Sequence, residues 1–347
     1  MIYNGDSDAK DGISDCIYVY PYGAINYFTD GDKDGDGKLD DINGDKIRDE
    51  KDQGDINVKS PNKSGQGMRA TFVGGAMDYD IAILKVEGGK YLRDNDVIPA
   101  TLGDSNQVVV GEKTYAIGNA NGQGISVTTG LVSVDSEYIA MSALDGRDTD
   151  RDGEADAVSY RVMRTDAAIN HGNSGGGLFN ATGELIGITN AKNVENETDN
   201  MGYALPITQV KYLLGNILWN VENRIGNYAT RAMLGVQTSI ESRQMLRDEK
   251  TGRIVIKEEI ALASFAGTST AAKDKLQIGD VFKAMTLKDP DDRTKTKTFA
   301  IERQFEVNDL LLTVRKGDKV VFTVLREGKE ENLEITFDND GYFVKYA

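Results

Sequence analysis

The first two-thirds of this chain is broken into short runs of β-branched and aromatic residues, each ended by Gly, Asn or Asp. Cys16–Tyr20, Ile81–Val86, Val108–Gly111, Thr114–Ile117, Ile125–Val134, Tyr160–Arg164 and Leu185–Asn190 read as strands on that pattern. Many short strands joined by glycine-rich turns point to a sandwich or barrels. The 38 glycines follow no three-residue period, so they are turn residues and not a collagen repeat. The first helix is expected at Ile207–Asn220, where Val210, Leu213, Leu214, Ile217 and Leu218 share one face and Pro206 stands at the start. Rhythm is lost over Glu222–Arg231, which reads as a linker. A second unit then shows strands at Gly235–Ile240, Ile254–Ile256, Val281–Met285, Val320–Leu325 and Leu333–Phe337. Helical segments are expected in it near Ala271–Lys275 and Phe305–Val314. The spacing predicts a mainly β first domain over 1–221, a linker over 222–232 and a small α/β domain over 233–347.

Composition removes several function classes. Cys16 is the only cysteine, so no disulfide framework exists. No run of 18 apolar residues is present. The opening MIYNGDSDAKDG lacks the basic-then-apolar order of a signal peptide. A net charge of −16 argues against nucleic acid as a partner. That charge is local: residues 6–15, 30–55 and 145–156 together hold −13 of it.

The two longer acidic segments have internal order. Asp32, Asp34, Asp36, Gly37 and Asp40 fit D-x-D-x-D-G-x-x-D, and Asp148, Asp150, Asp152, Gly153 and Asp156 fit it again. Asp41, Asn43, Asp45, Asp49 and Asp52 repeat the spacing, with Lys46 in place of the glycine. Calcium takes six to eight oxygens at ~2.4 Å, and alternate acids around a tight turn supply them. No Glu stands at position 12, so these are not full EF-hands. The pattern is that of weak aspartate-rich calcium loops, useful only outside the cytosol, against the plainer reading of solvated acidic loops.

Residues 164–178 read RTDAAINHGNSGGGL, with Ser174 inside a glycine-rich turn. A serine nucleophile needs an exposed, sharply turned backbone with N–H groups aimed at the developing oxyanion. Upstream, Asp80 opens DIAILKV; residues 116–133 read AIGNANGQGISVTTGLVS; residues 202–212 read GYALPITQVKY. The order of these blocks resembles the HtrA/Deg family of trypsin-like serine proteases, from about Asp80 to Leu214. The second unit, with Met233, Leu234, Gly235 and Val236 ahead of Leu276-Gln277-Ile278-Gly279-Asp280 and Lys316-Gly317-Asp318, resembles a PDZ domain of that family.

The resemblance implies a chymotrypsin-like double β-barrel, its N-terminal barrel incomplete, followed by a PDZ domain. It implies Ser174 as nucleophile and Asp80 as the acid that orients a histidine. Gly172, Asn173 and Ser174 are expected at the oxyanion hole, and Ala168, Thr189 and Asn190 at the specificity pocket. Met233–Val236 is expected as the peptide-binding loop. Implied partners are extended polypeptides, peptide C-termini and further copies of the chain. The serine chemistry itself needs no cofactor. Implied location is the cell envelope or outside, through an N-terminal anchor.

One departure stands out. The only histidine is His171, three residues before Ser174. A residue of the same turn cannot place its imidazole on both Ser174 and Asp80. The resemblance places the family's histidine block just before a strand at Asp15–Tyr22, so the chain is expected to begin a few residues after it. Three readings follow: part of an active endopeptidase, a PDZ-bearing binder without catalysis, or an adhesive module organised by calcium loops.

Overall fold

The computed structural model describes residues 17–19, 68–86, 97–120, 124–142, 157–190, 201–249, 252–266 and 271–346. The aspartate-rich repeats at 30–55 and 145–156, and Cys16, lie outside these residues. Contacts group the chain into two compact units. One holds residues 1–73, 82–100 and 122–125; the other holds 74–81, 101–121 and 126–347.

Three strands, β1 (Ile17–Val19), β2 (Met68–Ala76) and β3 (Ile81–Val86), form a sheet in that order. Within the second unit six strands close into a barrel. They are β4 (Lys113–Gly118), β5 (Ser126–Ser142), β6 (Ala157–Thr165), β7 (Gly177–Asn180), β8 (Leu185–Asn190) and β9 (Gly202–Pro206), in the order β4-β5-β6-β9-β8-β7. Closure removes the unpaired edges that an open sheet would expose. The interior is filled mainly by small and medium side chains, among them Ala116, Val132, Met163, Leu178, Ile186 and Ala204. Strands β8 and β9 are buried almost throughout, which is why they read as apolar runs without alternation.

Helix α1 (Ile207–Glu222) follows directly. Pro206 occupies the N-cap and offers no side-chain acceptor, so the helix is capped from elsewhere. The Ser105 hydroxyl accepts from the Thr208 N–H at 3.0 Å, and the Thr208 hydroxyl accepts from the Ser105 N–H at 3.0 Å.

The segment expected as a linker is ordered. Strand β10 (Ala229–Ala232) pairs antiparallel with the last strand, β17 (Phe343–Tyr346), matching Ala229 to Tyr346. A four-residue strand whose partner lies at the far end of the chain leaves no local periodicity. Two further segments differ from expectation. Val108–Gly111 is a turn closed by the Glu112 N–H on the Val109 carbonyl at 3.1 Å, with Gly111 at φ 87°; Val108 is apolar because it fills the barrel core. Ala271–Lys275 makes turns and no regular helix.

The C-terminal domain is built on β11 (Val236–Arg247), β12 (Ile254–Phe265), β13 (Val281–Lys288), β15 (Lys319–Arg326) and β16 (Lys329–Thr336), in that order, with β14 (Thr296–Ala300) paired to β13. Helix α2 (Gln304–Leu311) sends Val307, Leu310 and Leu311 into its core beside Phe282, Met285, Phe322 and Phe337. The architecture is mainly β, a chymotrypsin-like barrel followed by a PDZ-like domain.

The barrel and this domain share one unit and are joined by buried polar contacts. Arg161 of β6 and Asp309 of α2 lie 3.2 Å apart, each 1% exposed. The Gln209 amide donates to Asp309 at 3.0 Å. Arg303 pairs with Asp135 of β5 at 2.6 Å, and the Asn216 amide donates to the Leu312 carbonyl at 2.6 Å. The Arg161 guanidinium stacks 3.8 Å from the Phe305 ring centroid.

Candidate active site

Ser174 lies in the turn between β6 and β7 and is exposed. Two glycines give the turn its shape, Gly172 at φ 92° and Gly175 at φ 81°, both in a region that side-chain-bearing residues avoid. The Asn173 N–H donates to the Asn170 carbonyl and the Gly176 N–H to the Asn173 carbonyl, each at 2.9 Å.

Thr189 of β8 grips this turn from below. Its carbonyl accepts from the Gly175 N–H at 2.8 Å and its N–H donates to the Gly176 carbonyl at 2.9 Å. Its hydroxyl lies within hydrogen-bond range of the carbonyls of Asn173 and Gly176. On the other side the end of β4 comes into direct contact. A side chain at Gly118 would sit 2.5 Å from Asn173 Oδ1, and one at Gly176 would sit 2.3 Å from the Ile117 carbonyl. The blocks AIGN and GNSGG are therefore two halves of one packing arrangement. A third block joins them: the Thr128 hydroxyl and the Asn173 amide both donate to the Ala168 carbonyl, at 2.9 and 3.3 Å.

Asp80 is delivered differently. A short 3₁₀ turn, Met77–Tyr79, ends at Asp80 in the left-handed conformation, φ 52° and ψ 42°, with its N–H on the Met77 carbonyl. The side chain is exposed at this position. The Asn190 amide donates to Asp80 Oδ2 at 3.3 Å and also lies 3.3 Å from the Tyr160 hydroxyl. Burial, and secondly the Asp80 charge, push the Tyr160 phenol well above its usual range, so it stays protonated.

The expected site residues thus divide. Ser174, Gly172, Asn173 and Ala168 come together in one turn. Asn173, expected at the oxyanion hole, donates its N–H to the Asn170 carbonyl, and the residue is buried. Thr189 and Asn190, expected along the specificity pocket, are both buried; one holds the serine turn and the other contacts Asp80. Tyr160 was not expected at all, since its run reads only as strand. His171 is exposed in the serine turn. At the expected peptide loop, Leu234 is buried in the C-terminal core, the Met233 N–H is bonded to the Tyr342 carbonyl, and Gly235 has φ 72° ahead of β11. Among the described residues no cluster of metal-ligating side chains occurs.

A family model described as a trypsin-like peptidase domain matches residues 44–188, a span that includes Asp80 and Ser174. A serine protease Do-like HtrB of Bacillus subtilis is 32% identical over 284 residues, covering 79% of this chain and 54% of the relative. The chain is a relative of the HtrA-type serine proteases. A probable periplasmic serine protease, do/HhoA-like, of Haemophilus influenzae is 29% identical over 80% of this chain and 52% of its own length. This chain spans about half the length of the curated HtrA-type relatives it matches. A solved HtrA-type protease, AlgW with tripeptide, is 27% identical with a TM-score of 0.45, covering 79% of this chain and 78% of its own. No helix among the described residues is long and apolar enough to cross a membrane.

Proposed function

We propose that this chain carries the peptidase and PDZ-like portions of an HtrA-type serine endopeptidase. Ser174 attacks the scissile carbonyl and forms an acyl-enzyme, with the amides of Gly172 and Ser174 facing the oxyanion. Asp80 orients the histidine that takes the serine proton. The observation that carries this reading is the turn itself: an exposed hydroxyl on a backbone pinned by Thr189 and packed against Gly118. The general base is the part not supplied by the sequence in hand, whose one histidine, His171, shares the serine turn. The chain alone is therefore expected to cut no peptide, because the hydroxyl keeps its proton at neutral pH.

Extended stretches of unfolded polypeptide are the substrates in this reading. Ala168 at the pocket base leaves no acid to pair with Lys or Arg, so small or medium aliphatic residues precede the cleaved bond. The PDZ-like domain takes peptide C-termini along Met233–Val236, beside β11 at the sheet edge. Calcium occupies the aspartate repeats at Asp32–Asp40, Asp41–Asp52 and Asp148–Asp156, a reading that stands on their spacing alone. The location is the cell envelope or outside, where calcium loops of this strength fill and where the Haemophilus relative is named as periplasmic.

A fluorogenic peptide assay tests the catalytic part. No turnover is expected from the chain alone, and turnover that Ser174→Ala abolishes is expected once the upstream histidine block is joined to it. Turnover without that block, or none with it, overturns the reading. The single histidine favours a second reading, a PDZ-bearing binder without catalysis. It predicts capture of C-terminal peptides, unchanged by Ser174→Ala, and no cleavage under either condition.

A further inference from the structure

Strand β11 is 12 residues long, and helix α2 accompanies only its first half. The helix reaches the strand at Thr238, whose carbonyl and hydroxyl accept from the Gln304 amide at 3.1 and 3.0 Å. Its first turn is fixed beside Arg243: Glu258 of β12 accepts from the Gln304 N–H at 2.9 Å and from the Arg243 guanidinium at 2.8 Å. Strand β12 in turn is joined to β13 only at Ile260 and Ala261. From Arg243 to Arg247, paired with Glu258 to Ile254, the two strands run on as a ribbon. A two-stranded ribbon is marginal by itself, and stable ones have a third strand or a packed layer.

The ribbon keeps apolar side chains in water. Met245 is 73% exposed and Ile254 64%, and Leu246 is exposed as well. The register sets Met245 against Ile256 and Arg247 against Ile254. Opposite residues share a face, so one face carries Met245, Ile256 and Ile254 with Arg247 beside them. Among the described residues β11 pairs with β12 alone, so its outer edge is open. Such edges are ordinarily blunted by a charge or a proline. Here the charge of Arg243 is turned across the ribbon to Glu258, and Gln244, Met245 and Leu246 carry none.

We propose that the outer edge of β11 from Arg243 to Arg247 is a second stretch of the peptide site, which takes the upstream part of an extended polypeptide as an added strand. This rests on the reading of Met233–Val236 as the loop that takes peptide C-termini. A tail that enters at that loop and runs antiparallel to β11 stays on one edge for the length of the strand. It reaches Met245 about eight residues before its terminus. The register shift between Ile240 and Ser242 leaves Glu241 as a bulge between the two stretches. The favoured tail has aliphatic residues at alternate positions, for the face of Met245, Ile256 and Ile254, and a carboxylate where it passes Arg247. A second copy of the chain fits less well. Antiparallel pairing centred on Met245 sets Arg243 of each copy against Arg247 of the other, and like charges directly opposite are unfavourable. A bilayer offers nothing to the open N–H and C=O groups of an edge.

The test uses the full chain and fluorescence anisotropy. The probes are an array of five-residue peptides with free carboxyl ends, each made alone and with a seven-residue N-terminal extension in which Val alternates with Thr and Glu. The extended form of the best peptides is expected to bind about tenfold tighter, the scale of burying one aliphatic side chain. Met245→Asp and Arg247→Glu are expected to remove that gain and to leave the short peptides unchanged. Lys in place of Glu in the extension is expected to restore binding to Arg247→Glu. Equal affinity of short and extended forms, or a gain that both variants keep, overturns the proposal. So does self-association in sedimentation that Met245→Asp abolishes, since a second copy then holds the edge. Short peptides that bind with no gain on extension sink this proposal and leave the PDZ reading standing. Extended probes that bind while no short one does, with the loss in both variants, sink the PDZ reading and keep the ribbon edge as a peptide site. No binding by any probe overturns both.

Discussion

Two acids flank neighbouring residues of β6 and are treated in opposite ways. Asp309 meets Arg161 at 3.2 Å and the Gln209 amide at 3.0 Å, and is 1% exposed. Asp80 accepts from the Asn190 amide at 3.3 Å, with Tyr160 behind that amide, and is exposed. Successive side chains of a strand leave on opposite faces, so one strand serves both acids. Burial pushes the Asp309 carboxyl upward more than Arg161 pulls it down. The ion pair is close, yet Asp309 Oδ2 has no aligned hydrogen bond. The contrast separates a buried acid that fastens two domains from an exposed one at the rim of the barrel.

The largest effect is expected on the fastened side. Arg161→Ala leaves a buried carboxylate without its counter-charge and should cost about 3–5 kcal/mol in urea unfolding. Replacing both partners, Arg161→Met with Asp309→Leu, should restore most of that stability, because the desolvation of two charges disappears together. A single substitution costing under about 1 kcal/mol would mean that Asp309 is not a fastening acid. Its pH dependence follows from the raised folded pKa. The folded state holds the proton more tightly than the unfolded chain, so stability falls as pH rises from the usual aspartate range through the folded value. Asp309→Asn should flatten that slope in unfolding curves collected from pH 4 upward.

Next in size is the serine turn, which depends on shape and not on charge. Gly118→Ala places a methyl 2.5 Å from Asn173 Oδ1 and 2.8 Å from its Cα. The backbone contact cannot be relieved by a rotamer change, so the turn must move. We expect a loss of about 1–3 kcal/mol, the usual cost of overpacking, measured by thermal unfolding. Gly215→Ala on α1 is the control, since nothing lies within 4 Å of its added carbon. Equal effects of the two would break the packing account of the serine turn.

Much of this was legible in the chain. GNSGG and AIGN stood out together because the packing that joins them forbids side chains at fixed positions, Gly118 and Gly176 above all. Helix α1 and the central strands followed from periodicity. What stayed hidden was non-local. Strand β10 finds its partner only in the last residues of the chain. Asn190 reaches Asp80 across the fold, and Arg161 reads as one of two arginines in a strand until α2 is packed on it. Single residues whose partners lie a hundred positions away carry no sequence period.

A third kind of acid is the run of aspartates in 30–55 and 145–156, grouped in sequence with few bases. Bringing such carboxylates together is repulsive until a cation fills the loop. With dissociation constants of about 10⁻⁴ to 10⁻³ M, calcium at about 1 mM should stabilise each loop by roughly 0.4–1.4 kcal/mol. That should appear as slower proteolysis within both segments, with magnesium far less effective. Asp34→Ala and Asp150→Ala should each remove only their own segment's protection. No heat of calcium binding and unchanged proteolysis would reduce these segments to solvated acids.

The smallest effect on stability is expected at Asp80, and it completes the contrast with Asp309. Asn, like Asp, tolerates the left-handed backbone, so Asp80→Asn keeps φ 52° without added strain. Its side-chain oxygen can still accept from the Asn190 amide, and no buried charge is orphaned. Unfolding should therefore change by under about 0.5 kcal/mol, the range of surface substitutions. Asp80→Ala loses both the acceptor and the tolerance for this backbone, and should cost about 1 kcal/mol more than Asp80→Asn. In a chain given an HtrA-type histidine block upstream, the proposed role of Asp80 reverses the order with respect to function: Asp80→Asn should lower kcat by orders of magnitude with the fold intact, because a neutral amide cannot hold the imidazole in its working tautomer. A large stability loss from Asp80→Asn would make Asp80 a second fastening acid and remove the distinction between the two faces of β6.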